Sequence, residues 1–126
     1  MTSPIPTNIK LHKASRTLEL QYADGLVLTL PAEFLRVHSP SAEVQGHGKP
    51  VLQVGKQHVA LTGVEAAGNY ALKLTFSDGH DSGLYSWDYL YQLGQHQQSL
   101  WQNYLEQLRA AGASRDPDVS VVRVML

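Results

Sequence analysis

Apolar and polar residues alternate twice in quick succession near the start of the chain. Leu18, Leu20 and Tyr22 share one face of the stretch 16–22, and Thr17, Glu19 and Gln21 the other. After Asp24-Gly25 the alternation resumes with Leu26, Leu28 and Leu30. Period-two patterning on both sides of an Asp-Gly pair predicts a β-hairpin, with a type I′ turn that takes positive φ at both central residues. Ile9 and Leu11 predict a strand before it, turned at Lys13-Ala14-Ser15. Pro31 closes the run and suits the first turn of a short helix over 32–37, where its missing N–H would be unpaired anyway.

Residues 38–50 hold two Pro, two Gly and two Ser with little apolar content. They predict a long polar loop, the most mobile internal segment of the chain. Strand patterning returns at 51–54, at Val59, Leu61 and Val64, and over 69–76, where Tyr70, Leu72, Leu74 and Phe76 alternate. Ser77-Asp78-Gly79 predicts a turn into a short segment, 81–85. Ser86 can cap a helix starting at Trp87, with Asp88 complementing the helix dipole in the first turn. Gly94 is expected to interrupt that helix. A second helix over 97–110 places Leu100, Trp101, Tyr104, Leu105 and Leu108 on one stripe, and Gly112 supplies its stop. The β-branched tail, 119–125, predicts a last strand. No internal repeat or low-complexity segment is present. The fold class is α+β: an antiparallel, β-rich single domain over 1–126, with a short helix after the first hairpin, two C-terminal helices, and flexible ends at 1–7 and 113–126.

Composition narrows the class of function. Of 126 residues 43% are hydrophobic and 17% charged, a balance that supports a packed core. Ten Lys and Arg against eleven Asp and Glu give no basic footprint for nucleic acid or anionic lipid. No apolar run approaches a membrane span, and MTSPIPTNIK lacks the basic start and apolar stretch of a secretory signal, so the expectation is a soluble, cytoplasmic domain. With no cysteine there is no disulfide, no thiolate metal site and no Cys nucleophile.

Catalytic motifs are missing as well. Gly46-His47-Gly48-Lys49-Pro50 looks Gly-rich, but Pro50 cannot open a phosphate-binding helix there. No G-x-S-x-G elbow and no G-x-G-x-x-G occurs, and no His is followed two residues on by a carboxylate, as an iron facial triad requires. Three constellations remain. Asp78-Gly79-His80-Asp81 sets carboxylates beside an imidazole, which suits a general base, although a polar turn is the plainer reading. His38 and His47 flank the polar loop and would bind a divalent metal if they met His80; independent solvated histidines are the alternative. Tyr85, Trp87, Tyr89, Tyr91, Trp101 and Tyr104 form either a ligand-stacking surface or core residues and interface anchors.

Three segments carry a resemblance. They are Leu35-Arg36-Val37-His38-Ser39-Pro40-Ser41-Ala42-Glu43-Val44, Gly68-Asn69-Tyr70-Ala71-Leu72, and Phe76-Ser77-Asp78-Gly79-His80-Asp81-Ser82-Gly83-Leu84-Tyr85-Ser86-Trp87-Asp88-Tyr89-Leu90. Together they resemble the gamma-butyrobetaine hydroxylase-like N-terminal domain family (DUF971), from about Ile9 to Gly94 or beyond. The family's domain occurs alone in bacteria, ahead of the catalytic jelly roll of gamma-butyrobetaine and trimethyllysine hydroxylases, and fused to Mrp-type ATPases that handle iron–sulfur clusters. Its hydroxylase members carry a structural zinc on a Cys-Pro-Cys-x-x-Cys loop and a distant histidine. On this chain the cysteine positions fall at Ser39, Ser41 and Val44 and the histidine at His80, so the resemblance implies a zinc site that has lost its thiolates. Ser39 and Ser41 would then hydrogen-bond within the loop, and a salvage site from His38, Glu43, His47 and His80 is the alternative.

The resemblance implies a binding or adaptor domain that is not an enzyme and holds no cofactor, with a protein partner such as an iron–sulfur carrier ATPase or a dioxygenase. The hydroxylase chemistry belongs to a jelly roll for which these 126 residues leave no room. Two alternatives stand beside it: a small-molecule binder or small enzyme using Asp78, His80 and Asp81, and a homodimer paired through the Trp101–Tyr104 stripe or an edge strand at 119–125.

Overall fold

The computed structural model describes residues 3–119, apart from the side chain of His47. Three strands, β1 (Asn8–His12), β2 (Thr17–Gln21) and β3 (Val27–Pro31), form an antiparallel sheet in that order and lead directly into α1 (Ala32–Val37). After α2 (Ala42–Gln45) and a single 3-10 turn (Gly46–Gly48) comes a second antiparallel sheet: β4 (Leu61–Ala67), β5 (Ala71–Phe76) and β6 (Leu84–Ser86). It too runs straight into a helix, α3 (Trp87–Gln95), followed by α4 (Gln97–Ala111). The α+β class is as the patterning predicts. The three-strands-then-helix unit occurs twice, a repetition of topology for which the sequence shows no repeat.

The alternating leucines meet across the first sheet. Leu18 stands opposite Leu30 and Leu20 opposite Leu28, all four buried. Leu61, Leu72, Leu74 and Phe76 of the second sheet join them in one core, with Phe34 and Leu35 of α1 and Leu90 and Leu93 of α3. A smaller cluster, Val37, Tyr104 and Leu108, attaches α4 to the end of α1. Each fully buried leucine contributes roughly 1.5–3 kcal/mol. Among the described residues no helix is long and apolar enough to cross a membrane.

Local chemistry revises several expectations. The hairpin at Asp24-Gly25 is not type I′: Gly25 has φ +91°, but Arg16 is the only non-glycine residue with positive φ among those described. The Gly25 N–H donates to the Tyr22 carbonyl and the Tyr22 N–H to that of Leu26, a type I turn closed by a left-handed glycine. The polar stretch 38–50 is not a bare loop, because Ser41 caps a helical turn and Gly46, at φ +56°, ends it. Residues 51–54 join no sheet; the Val51 N–H donates to the Val44 carbonyl and the Gln53 carbonyl accepts from the Tyr104 hydroxyl, partners that no strand supplies. The strand expected over 69–76 begins at Ala71, since the Tyr70 N–H closes the turn onto Ala67 and leaves the Tyr70 ring exposed. Gly94 does not interrupt α3, which runs through it to Gln95. A β-carbon at Gly94 would strike Leu28, so this glycine serves a close helix–sheet approach. The tail expected as a strand lies, beyond Val119, outside the described residues.

Candidate functional site

The turn between β5 and β6 lands against the segment that follows α1. Phe76 and His80 close this turn as Tyr22 and Leu26 close the first hairpin: the Phe76 N–H donates to the His80 carbonyl and the Gly79 N–H to that of Phe76. In both turns an aspartate carboxylate accepts from the N–H two residues on, Leu26 for Asp24 and His80 for Asp78. Geometry this tight fixes the direction in which the His80 ring leaves the backbone.

His80 points at Ser39, whose Oγ lies 2.8 Å from His80 Nε2. Ser39 is fully buried, and its Oγ also accepts the Ser41 N–H at 3.2 Å. The Ser41 Oγ accepts in turn from the Val44 N–H at 3.4 Å, as the cap of α2. Gln45 Nε2 donates to the Ser39 carbonyl at 2.9 Å. On its other side His80 Nδ1 is 3.5 Å from a carboxylate oxygen of Glu43, which also accepts from the Ser82 hydroxyl at 2.8 Å. Positions 39, 41, 44 and 80, far apart in sequence, are thus joined by one chain of hydrogen bonds. Burial and the Arg36 cation hold the imidazole below its ordinary pKa, against the opposing pull of Glu43 and Asp78. The nearby carboxylate favours a proton on Nδ1, which leaves Nε2 to accept from the Ser39 hydroxyl.

The order serine, imidazole, carboxylate is that of an activated nucleophile. Access decides against that use. Gly83 packs directly over Ser39: a β-carbon placed there would fall 2.5 Å from Ser39 Oγ and 3.1 Å from Pro40 Cδ. The side chain of His80 is only 7% exposed. The arrangement can lock two chain segments together, and it presents no oxygen to a substrate.

Asp78 faces elsewhere. One carboxylate oxygen receives Arg36 Nε at 2.8 Å and Lys56 Nζ at 2.9 Å, while Arg36 Nη1 donates to Gln53 at 3.0 Å. Burial pushes this carboxyl up, but Lys56, the His80 N–H and Arg36 together bring it to about 2. Asp81, the other carboxylate of the segment, lies 3.9 Å from Lys73 at the surface and makes no contact with the imidazole. His38 turns inward, its Nδ1–H donating to the Phe34 carbonyl at 2.9 Å, and burial lowers its pKa. Among the described residues no group of three or more His, Asp or Glu is placed to hold a metal; the side chain of His47 lies outside them.

The six aromatics form no common surface. Tyr85 is buried and donates to the Leu35 carbonyl at 2.6 Å, Tyr89 to that of His38 at 2.6 Å, and Tyr104 to that of Gln53 at 2.7 Å. Trp87 donates to the Asn69 carbonyl, Tyr91 packs edge-on against Tyr22, and Trp101 lies beneath Arg115. Tyr85 of β6 and Tyr89 of α3 therefore fasten the end of α1. Arg36 and Lys56 escaped sequence reasoning; an arginine inside the otherwise apolar turn 34–37 was the available signal, since buried arginine needs a partner.

No curated protein matches the chain. A protein with a solution NMR structure is 64% identical, with TM-score 0.84, over 99% of this chain and 100% of its own. A second NMR structure is 50% identical, with TM-score 0.79, over 100% of this chain and 99% of its own. The crystal structure of a protein of unknown function from Acidithiobacillus ferrooxidans, a member of the DUF971 family, is 37% identical over 74% of this chain and 98% of its own, with TM-score 0.63. The model of the family described as gamma-butyrobetaine hydroxylase-like, N-terminal, matches residues 9–91, and the chain belongs to that family.

Proposed function

We propose that this chain is a non-catalytic binding domain in which a buried serine–histidine hydrogen bond takes the place of the structural zinc implied by its resemblance to the hydroxylase members. The observation that carries this reading is Ser39 Oγ, fully buried and 2.8 Å from His80 Nε2. The donor set does not fit zinc. Neutral hydroxyls at 39 and 41 are poor ligands, the alkyl group of Val44 is none, and a single imidazole cannot hold the ion. Ser39 Oγ and Ser41 Oγ are moreover engaged by backbone N–H groups, as hydrogen-bond acceptors in a closed loop.

Support for binding comes from the surface beside the lock. A cleft of about 740 Å³, with Val37, Val44, Leu52 and Tyr104 in its walls, opens next to it, and Val51 at its edge is half exposed. A protein partner is the reading that suits an open cleft whose apolar walls are mixed with amides such as Gln45, Asn103 and Gln107 and that has no convergent reactive groups.

Native mass spectrometry of protein purified without chelator tests the lock. The expected mass is that of the chain alone, and the variant S39C/S41C/V44C is expected to take up one zinc. Stoichiometric zinc on the wild-type chain, released by His80→Ala, would overturn the reading. The same spectrum distinguishes monomer from homodimer.

A further inference from the structure

A second constellation lies away from the lock. Glu33, in the first turn of α1, is buried, yet it carries a carboxylate. Its side chain has one partner among the described residues: Arg115, whose Nε and Nη2 meet the two carboxylate oxygens at 2.8 and 2.7 Å. The same guanidinium lies over Trp101, 5.1 Å from the ring centroid, and Phe34 meets that indole edge-on at 6.4 Å. A buried carboxylate that matches both arms of a planar cation, roofed by an indole face, is a guanidinium seat.

The occupant is brought in from a distant part of the chain. Arg115 belongs to the segment 113–119, outside any helix or strand, whose backbone is tied down through Gly55 and Gln57. About a third of its side chain is exposed. Beyond it the space continues as a cleft of about 620 Å³, the size of a small-molecule site. Gln95, Gln97 and Gln98 also line that cleft, and their side chains make no hydrogen bond with the described residues. A structural clasp alone requires neither the adjoining space nor the uncommitted amides.

We propose that the cleft between α1 and the α3–α4 corner binds a small molecule bearing a guanidinium group, with Glu33 and Trp101 as its cation seat and Arg115 as the intramolecular stand-in that a ligand displaces. The amides of Gln95, Gln97 and Gln98 would read the polar remainder of that ligand. The site is independent of the Ser39–His80 lock, so either can fail alone.

Methylguanidinium is the probe, and the indole N–H signals of Trp101 and Trp87 in ¹H–¹⁵N NMR are the readout. Trp87 bonds the Asn69 carbonyl and serves as the internal control. In Arg115→Ala the vacated seat is expected to give a saturable shift of the Trp101 signal alone, with methylammonium clearly weaker because it lacks the fork. In the wild-type chain Arg115 competes for the same seat as an intramolecular ligand, so half-saturation is expected at a higher methylguanidinium concentration than in Arg115→Ala. Arg115→Ala/Glu33→Gln is expected to lose the response. A folded Arg115→Ala chain without a saturable Trp101 shift, or one whose shift survives Glu33→Gln, would overturn the proposal. Should Arg115→Ala fail to fold, the wild-type Arg115 Nε–H signal decides: displacement by excess methylguanidinium supports the site, and an unmoved signal refutes it.

Discussion

Substituting Gly83 by alanine tests how tightly the lock is closed. The backbone at Gly83 is not left-handed, so alanine meets no conformational penalty there and by itself gains about 0.4–1 kcal/mol by restricting the unfolded chain. Against that stands the added β-carbon, 2.5 Å from Ser39 Oγ. The hydroxyl cannot swing aside without giving up His80 Nε2 and the Ser41 N–H. Overpacking of this kind costs about 1–3 kcal/mol, and after that gain Gly83→Ala is expected to lose about 1 kcal/mol net. Ser39→Ala separately leaves a buried N–H and an imidazole nitrogen without their shared partner, at about 1–3 kcal/mol. In the double variant the atom struck is the atom already removed. What remains is the milder approach to Pro40 Cδ at 3.1 Å and Tyr85 Cε1 at 3.5 Å. The combined loss should therefore fall short of the sum by about 1–2 kcal/mol. Urea unfolding followed by tryptophan fluorescence reads this as a shift in midpoint at constant slope. Losses that add to within about 0.5 kcal/mol would show that Gly83 and Ser39 do not share this space, and the account of a sealed serine would fall.

Two further outcomes follow from the charges around the site. Asp78→Asn strands Arg36, whose side chain is 8% exposed, and Lys56; a loss of about 2 kcal/mol is expected in urea titration, below the figure for fully buried pairs because Asp78 is 22% exposed. The wild-type chain should lose stability in two acid windows. His38, held below its ordinary 6.5 by burial, and His80, held below it by burial and Arg36, let the unfolded chain bind protons first, so stability falls as pH drops below about 6.5. His38→Asn should reduce that part of the profile while the His80 share remains. Asp78, depressed from 3.8 to about 2, stabilises the fold above 3.8 and gives up that contribution as pH falls through 2. A midpoint that does not move between pH 7 and 5 would contradict the first window.

What the sequence revealed was governed by period. Leu18, Leu20, Leu28 and Leu30 announce their sheet because alternation is a direct image of the pleat, and Ser86 and Gly112 announce helix ends because each satisfies backbone groups in one characteristic way. The misreadings came where glycine and short polar residues have several uses. Gly94 resembles a helix stop, yet it makes room for Leu28, which is distant in sequence. Residues 38–50 resemble a loop by composition, while Ser41 and Gly46 give them a helical turn. The candidate site was half legible. The resemblance brought Ser39, Ser41, Val44 and His80 together, but Arg36, Lys56 and Glu33 owe their roles to partners 20 to 80 residues away, which no local pattern encodes.

The repeated topology explains why the lock sits where it does. Each three-stranded sheet passes directly into a helix, and each central strand ends in an aspartate–glycine turn of one design. In the first unit that turn is exposed and Asp24 bonds only its own loop; in the second, the corresponding Asp78 and the residue two after it, His80, are covered by residues 36–43. A local turn of the second sheet thereby becomes the anchor for the chain leaving the first. Any replacement for a metal at this junction must do what the metal would do: hold the end of α1 against the β5–β6 turn. Ser39 does so through His80, Arg36 through Asp78, and Tyr85 through Leu35. These three fastenings share neighbours, since the His80 N–H donates to Asp78 and Arg36 acts on the His80 imidazole. Each is worth about 1–3 kcal/mol when cut, and under the proposed reading they do the work of the implied zinc in a domain whose leucine core already folds it.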